Sequence, residues 1–118
     1  IFAAVEDCLY ACGGCCHTER SLGADTLGRR VLGLTGRYCP ALNTWSMLPD
    51  LHNPRVNAAA VVYGSSLYVA GGNDASDYLA SVECLDTDDE RWRNLPRLNR
   101  GRCGATAVVD GRGHIFLC

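Results

Sequence analysis

The sequence predicts an all-β fold of repeated four-stranded antiparallel units, on three observations. A block recurs along the chain at a constant spacing of 47 residues. Its apolar runs are short, β-branched or aromatic, and bounded by turn residues. No segment carries the three-to-four-residue apolar rhythm of a helix. The repeat is specific: Trp45 returns as Trp92, Leu48-Pro49 as Leu95-Pro96, Leu51 as Leu98, Arg55 as Arg102, and Val61-Val62 as Val108-Val109. Gly64 and Gly111 keep the same register, and after one inserted residue Leu67 to Ala70 match Ile115 to Cys118. An upstream copy, Leu9 to Gly14, repeats Leu67 to Gly72.

In chain order, Ile1 to Val5 and Cys8 to Cys12 read as the first two strands of one unit, with Gly36 to Pro40 and Thr44 to Leu48 completing it. Ala58 to Tyr63, Ser66 to Ala70, Ser81 to Leu85 and Arg91 to Leu95 form the second unit. Ala105 to Val109 and His114 to Cys118 open a third. That is ten strands, with repeat boundaries at 1–49 (including a long inter-strand loop), 50–96 and 97–118. Runs of small residues, Ala58 to Ala60 and Gly104-Ala105, suit the crowded place where sheets converge, so these strands are expected innermost. The Gly-Gly pairs Gly13-Gly14 and Gly71-Gly72 let a strand end turn sharply and let a bulky neighbour approach the backbone, a space Trp45 and Trp92 are expected to fill.

These residues resemble the kelch repeat: an apolar strand ending in Gly-Gly, a later Tyr, a Trp followed by Leu-Pro, then an Arg. Gly13, Gly14, Tyr38, Trp45, Leu48-Pro49 and Arg55 fill the pattern once, and Gly71, Gly72, Trp92, Leu95-Pro96 and Arg102 fill it again, with Cys84 read at the Tyr position of the second copy. The resemblance covers nearly the whole chain. It implies a partial kelch-type β-propeller of about two and a half four-stranded antiparallel blades, packed against the remaining blades of a parent propeller.

Composition excludes several function classes. The 11 basic and 13 acidic residues give a net charge of -2 with no run of like charge, so there is no electrostatic footprint for nucleic acid. No apolar stretch approaches the roughly 18 residues that span a bilayer, and Glu6 and Asp7 stand where a signal peptide carries Lys or Arg. No membrane role is expected. With Met47 as the single methionine and both ends inside the repeat pattern, the chain reads as a fragment. Two faces of such a fragment would stay open, so in isolation it is expected to associate or unfold rather than to persist as a stable monomer. Eight irregularly spaced cysteines and the lack of an Asn-x-Ser/Thr acceptor favour the cytoplasm.

Candidate chemistry is sparse. Cys12, Cys15, Cys16 and His17 include a Cys-x-x-Cys pair, but the second half of a zinc site is missing, and Cys12 sits at the position of Ala70, a small strand residue. Cys15 and Cys16, near His17 and Arg20, could form a redox-sensitive thiol setting. His17, His52 and His114 fall at different repeat positions, and no nucleophile elbow or phosphate loop occurs. Neither an enzymatic activity nor a cofactor or metal is expected.

What remains is the loop surface. In a four-stranded meander the second-to-third link and the link to the next blade open on one face. That face gathers Cys15 to Leu34, Asp50 to Arg55, Asn73 to Leu79 and Arg97 to Arg102. Its expected partner contacts are Arg55, Arg102, Asn73, Asp74 and Asp77, toward a short peptide segment of another protein. The two arginines could equally brace the loops through backbone carbonyls, since a guanidinium fork suits either role. For a parent with BTB and BACK domains, the resemblance implies substrate recruitment to a cullin-RING ubiquitin ligase. Other members of the family are scaffolding or actin-binding proteins, copper oxidases and sugar mutarotases.

Overall fold

The computed structural model describes residues 1–17 and 28–118, and among them it contains twelve strands and no helix. These are β1 (Phe2–Val5), β2 (Cys8–Cys12), β3 (Cys15–His17), β4 (Arg29–Val31), β5 (Thr35–Cys39), β6 (Thr44–Leu48), β7 (Ala59–Tyr63), β8 (Ser66–Ala70), β9 (Val82–Asp86), β10 (Arg91–Leu95), β11 (Ala107–Val109) and β12 (Ile115–Leu117). Every pairing is antiparallel. The first blade is ordered β1-β2-β5-β6, the second β7-β8-β9-β10, and β11-β12 form a two-stranded third unit. The ten expected strands are present, four with the expected ends and six with ends shifted by one or two residues. The pair β3-β4 is additional: Cys15 to Leu34 read as loop, yet Cys15, Cys16 and His17 pair with Val31, Arg30 and Arg29 as a short hairpin outside the main sheet. Among the described residues no helix is long and apolar enough to cross a membrane.

The repeat spacing survives in the register. Leu9 faces Tyr38, which faces Trp45; in the second blade Leu67 faces Leu85, which faces Trp92, and Leu85 and Trp92 each lie 47 residues after Tyr38 and Trp45. The Tyr position of the second copy is therefore Leu85 and not Cys84, because a one-residue slip turns a side chain to the opposite face of its sheet. The inserted residue lies in the turn of the third unit, where Gly111 to Gly113 replace the tighter Gly64-Ser65 connection, so Val108 faces Phe116 as Val61 faces Tyr68. The first strand of each unit is innermost: β7 touches both β1 and β11.

Period-two alternation divides each blade into two faces. In the first blade Ala3, Val5, Tyr10, Cys12, Thr35 and Leu48 turn toward the second, while Phe2, Leu9, Tyr38, Trp45 and Met47 lie on the opposite, open face, with Phe2, Trp45 and Met47 82%, 59% and 67% exposed. The second blade answers with Leu67, Val69, Leu85 and Trp92, which complete a core cluster with Val5, Tyr10, Cys12, Leu48 and Leu51. Trp92 fills the seam between blades, and its indole N–H donates to the Pro49 carbonyl at 3.0 Å and the Thr35 hydroxyl at 3.3 Å. The reverse face of the second blade, with Val61, Tyr68 and Val82, borders an apolar groove of about 230 Å³ closed on the other side by Ala107, Ile115 and Leu117.

The glycine pairs do different work from that expected. A Cβ on Gly13 would collide with the Arg55 carbonyl oxygen, and one on Gly71 with that of Arg102. Both glycines sit at positive φ, 66° and 68°. The space beside them is taken by the backbone of the incoming link and not by the tryptophans. Trp45 lies instead over Gly36 and beside Tyr38, whose ring centroid is 5.3 Å away.

Candidate interaction face

Four links meet at one end of the blades, held by backbone hydrogen bonds. Gly14 N–H donates to the Arg55 carbonyl at 2.9 Å, Leu51 N–H to Gly33 at 2.8 Å and Arg55 N–H to Leu32 at 3.2 Å. In the second blade Gly72 N–H donates to Arg102 at 2.8 Å, Leu98 N–H to Ala80 at 2.8 Å and Arg102 N–H to Leu79 at 3.1 Å. Val56 and Asn73 exchange two bonds of 2.9 Å, joining the face across the blades. Two clefts open here. One, of about 130 Å³, lies between the β3-β4 hairpin and the 73–78 loop and is lined by Cys15, Arg29, Asn73 and Ala75. A wider one, of about 350 Å³, is lined by Arg30, Leu34, Asp50, His52 and Pro54.

Arg55 is not on this surface. It is fully buried, and Glu83 with it. Its guanidinium donates to the Gly71 carbonyl (2.7 Å), the Ser81 carbonyl (3.1 Å), the Ser81 hydroxyl (2.8 Å) and the Glu83 carboxylate (2.5 Å), while Nε reaches the Asn53 carbonyl at 3.1 Å. Glu83 also accepts the backbone N–H groups of His52 (2.7 Å) and Asn53 (3.0 Å). The bracing role suggested for the arginines holds for Arg55: it ties the inter-blade link to β8 and β9 of the second blade. Its expectation as a partner contact is withdrawn, because nothing outside the protein reaches it. Sequence reading missed Glu83, which replaces the Gly36 of the first copy. A lone Glu inside an apolar strand, Val82 to Leu85, was the available signal, since such a charge is buried only when paired.

The other expected contacts differ in exposure. Arg102 and Asp77 are exposed, whereas Asn73 and Asp74 are half-buried and shape the loop. Asn73 Oδ1 accepts the Ala75 N–H at 2.8 Å, and Asp74 Oδ1 accepts those of Asp77 (2.8 Å) and Ser76 (2.9 Å). Those N–H donors, Asp77 first, hold the Asp74 carboxyl below its ordinary 3.8. A depressed folded value makes the capping contribution complete above the unfolded pKa and lost as pH falls through the folded one. On acid titration the Ser76 and Asp77 amide resonances are expected to shift together at a pH below 3.8, and in Asp74→Asn that step disappears.

Cys12 is buried at the end of β2, and burial pushes its thiol up to about 11. Cys15 and Cys16 alternate along β3, exposed and half-buried, so adjacent side chains point to opposite faces. Among the described residues no three His, Cys, Asp or Glu side chains gather as a metal-binding group.

Charge separates between the two ends of the blades. Among the described residues the loop face exposes Arg29, Arg30, Arg97, Arg100 and Arg102 against Asp50 and Asp77. The far end, at the turns after β1, β9 and β11, carries Glu6, Asp7, Asp86, Asp88, Asp89, Glu90 and Asp110 against Arg37, Arg91, Arg93 and Arg112. There Arg93 pairs with Asp86 at 3.8 Å and with Asp89.

The kelch motif model matches residues 54–99. Kelch-like protein 4 of Homo sapiens is 40% identical over 80 residues, which cover 68% of this chain and 11% of that protein. Kelch-like protein 26 of Danio rerio is 30% identical over 107 residues (88% and 17%), and beta-scruin of Limulus polyphemus 31% over 110 (92% and 12%). The chain thus spans between 11% and 17% of the length of these curated relatives. Among solved structures, the one titled "Structure of YjhT" superposes with a TM-score of 0.74 at 18% identity, over 93% of this chain and 41% of that one, and shares the fold. Repeat, register and relatives agree: the chain belongs to the kelch-repeat family and forms partial blades of a kelch β-propeller.

Proposed function

We propose that this chain is part of a protein-interaction propeller whose loop face takes an acidic, extended peptide segment of another protein. The observation that carries the reading is the charge separation: among the described residues five exposed arginines crowd the loop end of a chain whose net charge is -2. Clefted, rim-charged surfaces of this kind favour complementary segments by steering and register. Tyr78, 65% exposed beside Asp77, adds an aromatic surface of the type enriched where proteins bind. Binding rather than catalysis is the role, in the cytoplasm. In a parent of the Kelch-like kind, the bound segment would mark a substrate for a cullin-RING ubiquitin ligase; finding a BTB domain in the full-length polypeptide would support that reading, and its absence would count against it.

The test is peptide binding to the full-length protein. Acidic peptides should bind with affinity that falls as salt rises, and Arg97→Ala combined with Arg100→Ala should weaken them about tenfold with the melting temperature nearly unchanged. Equal binding of acidic and basic peptides would refute it. Arg102→Ala separates its two roles: lost affinity at unchanged melting temperature makes it a contact, and lost stability with affinity intact makes it a second brace like Arg55.

A further inference from the structure

Cys8 opens β2 and Cys39 closes β5. The β2-β5 register pairs Leu9 with Tyr38 and Cys12 with Thr35, so its next step sets Cys8 directly against Cys39. The kind of pair follows from the same ladder. Gly13 N–H donates to the Leu34 carbonyl at 2.9 Å, which makes residues 13 and 34 a hydrogen-bonded pair. Pairs alternate along an antiparallel ladder, so Cys8 and Cys39 form a non-hydrogen-bonded pair, the closer of the two types, with Cα atoms about 4.5 Å apart and side chains on the same face. That lies inside the range of about 4.4–6.8 Å that a disulfide spans. In the second blade the same position holds Ser66 facing Asp86, so the thiol pair is not a requirement of the repeat.

We propose that Cys8 and Cys39 are a dithiol modification site that a small disulfide such as glutathione disulfide oxidises to a reversible cross-strand disulfide. Both thiols are free and half-buried at the blade end opposite the loop face, within reach of a small oxidant. Burial, then the facing Cys39, holds the Cys8 thiol above its ordinary value, against the opposing pull of Arg37. One cysteine thiolate attacks a sulfur of glutathione disulfide, forming a mixed disulfide and releasing one glutathione thiolate. The second cysteine thiolate then attacks the protein sulfur of that mixed disulfide and releases the other. Two protein thiols are oxidised to one disulfide, one glutathione disulfide is reduced to two glutathiones, and the two protons pass to the leaving thiolates. Of the other cysteines, Cys12 and Cys84 are buried, Cys15 and Cys16 point to opposite faces of one strand, and Cys103 and Cys118 are exposed outside any strand pairing with a second cysteine. The bond would staple β2 to β5 across the excursion that carries the β3-β4 hairpin, and next to Arg37, which ties the first blade to Glu90 of the second at 2.6 Å.

The experiment equilibrates the full-length protein in reduced and oxidised glutathione mixtures, traps free thiols with N-ethylmaleimide and maps peptides by mass spectrometry. A Cys8–Cys39 cross-linked peptide that disappears with dithiothreitol is expected, with a melting temperature higher by about 5 °C or more in the oxidised protein. In Cys8→Ser and, separately, Cys39→Ser, the remaining cysteine should stop at the glutathione adduct. Stable adducts on both cysteines of the unmutated protein, a link from either one to a different cysteine, or full maleimide labelling of both while exposed Cys15 becomes glutathionylated would each overturn the proposal.

Discussion

Replacing Arg55 with alanine is expected to destabilise the propeller that contains this chain by about 3–5 kcal/mol, read from the midpoint of chemical denaturation. The guanidinium is fully buried and uses its donors on two carbonyls of the second blade, the Asn53 carbonyl, a serine hydroxyl and the Glu83 carboxylate. Its loss strands Glu83, which would keep the two N–H groups of His52 and Asn53 but lose its counter-charge in a site without solvent. An uncompensated buried charge costs far more than a surface ion pair contributes. Arg55→Lys should recover only part of the loss, because a single ammonium cannot reach carbonyl, hydroxyl and carboxylate from one planar fork. The double change Arg55→Met with Glu83→Leu should be milder than Arg55→Ala, since it removes both charges while keeping volume. A cost below about 1 kcal/mol for Arg55→Ala would mean the pair is not the brace described here.

Trp92→Ala should cost a similar amount, about 3–5 kcal/mol, through a cavity at the seam between the first two blades. The indole is 6% exposed and meets Leu85 from its own sheet and Thr35 and Pro49 from the first blade. Removing it opens a void that neighbouring strands, held in register by their ladders, cannot collapse into. Trp92→Phe keeps most of the apolar contact but leaves the Pro49 carbonyl and Thr35 hydroxyl without the N–H donor, so a smaller loss of about 1–2 kcal/mol is expected. Equal costs for the two substitutions would assign the residue's contribution to the hydrogen bond rather than to packing.

The two effects arise at different levels of legibility. Trp92 was visible as a motif residue because the repeat places an aromatic at one strand position, and strand periodicity alone turns it to a blade face. Arg55 was equally visible, but its direction was not. Whether a guanidinium at the end of a link points to solvent or into the next blade depends on Glu83, 28 residues away in sequence, which only the folded register brings to it. The reading of Cys84 as the Tyr equivalent failed by one residue, enough to exchange the face toward the first blade for the face toward the third unit.

The sequence by itself determined the all-β repeat, the strand order within each blade, the innermost position of the Ala-rich strands and the convergence of four links at one end. These follow from local propensity and a fixed spacing, which a stacked repeat carries unchanged from one unit to the next. Only the tertiary structure decided that Gly13 and Gly71 make room for an arginine carbonyl, that Arg55 and Glu83 are buried together, that Cys15 to His17 pair with Arg29 to Val31, and that Cys8 faces Cys39. Each depends on residues far apart in the chain meeting in one register, and such meetings are set by packing between strands rather than by any local preference of the residues that meet.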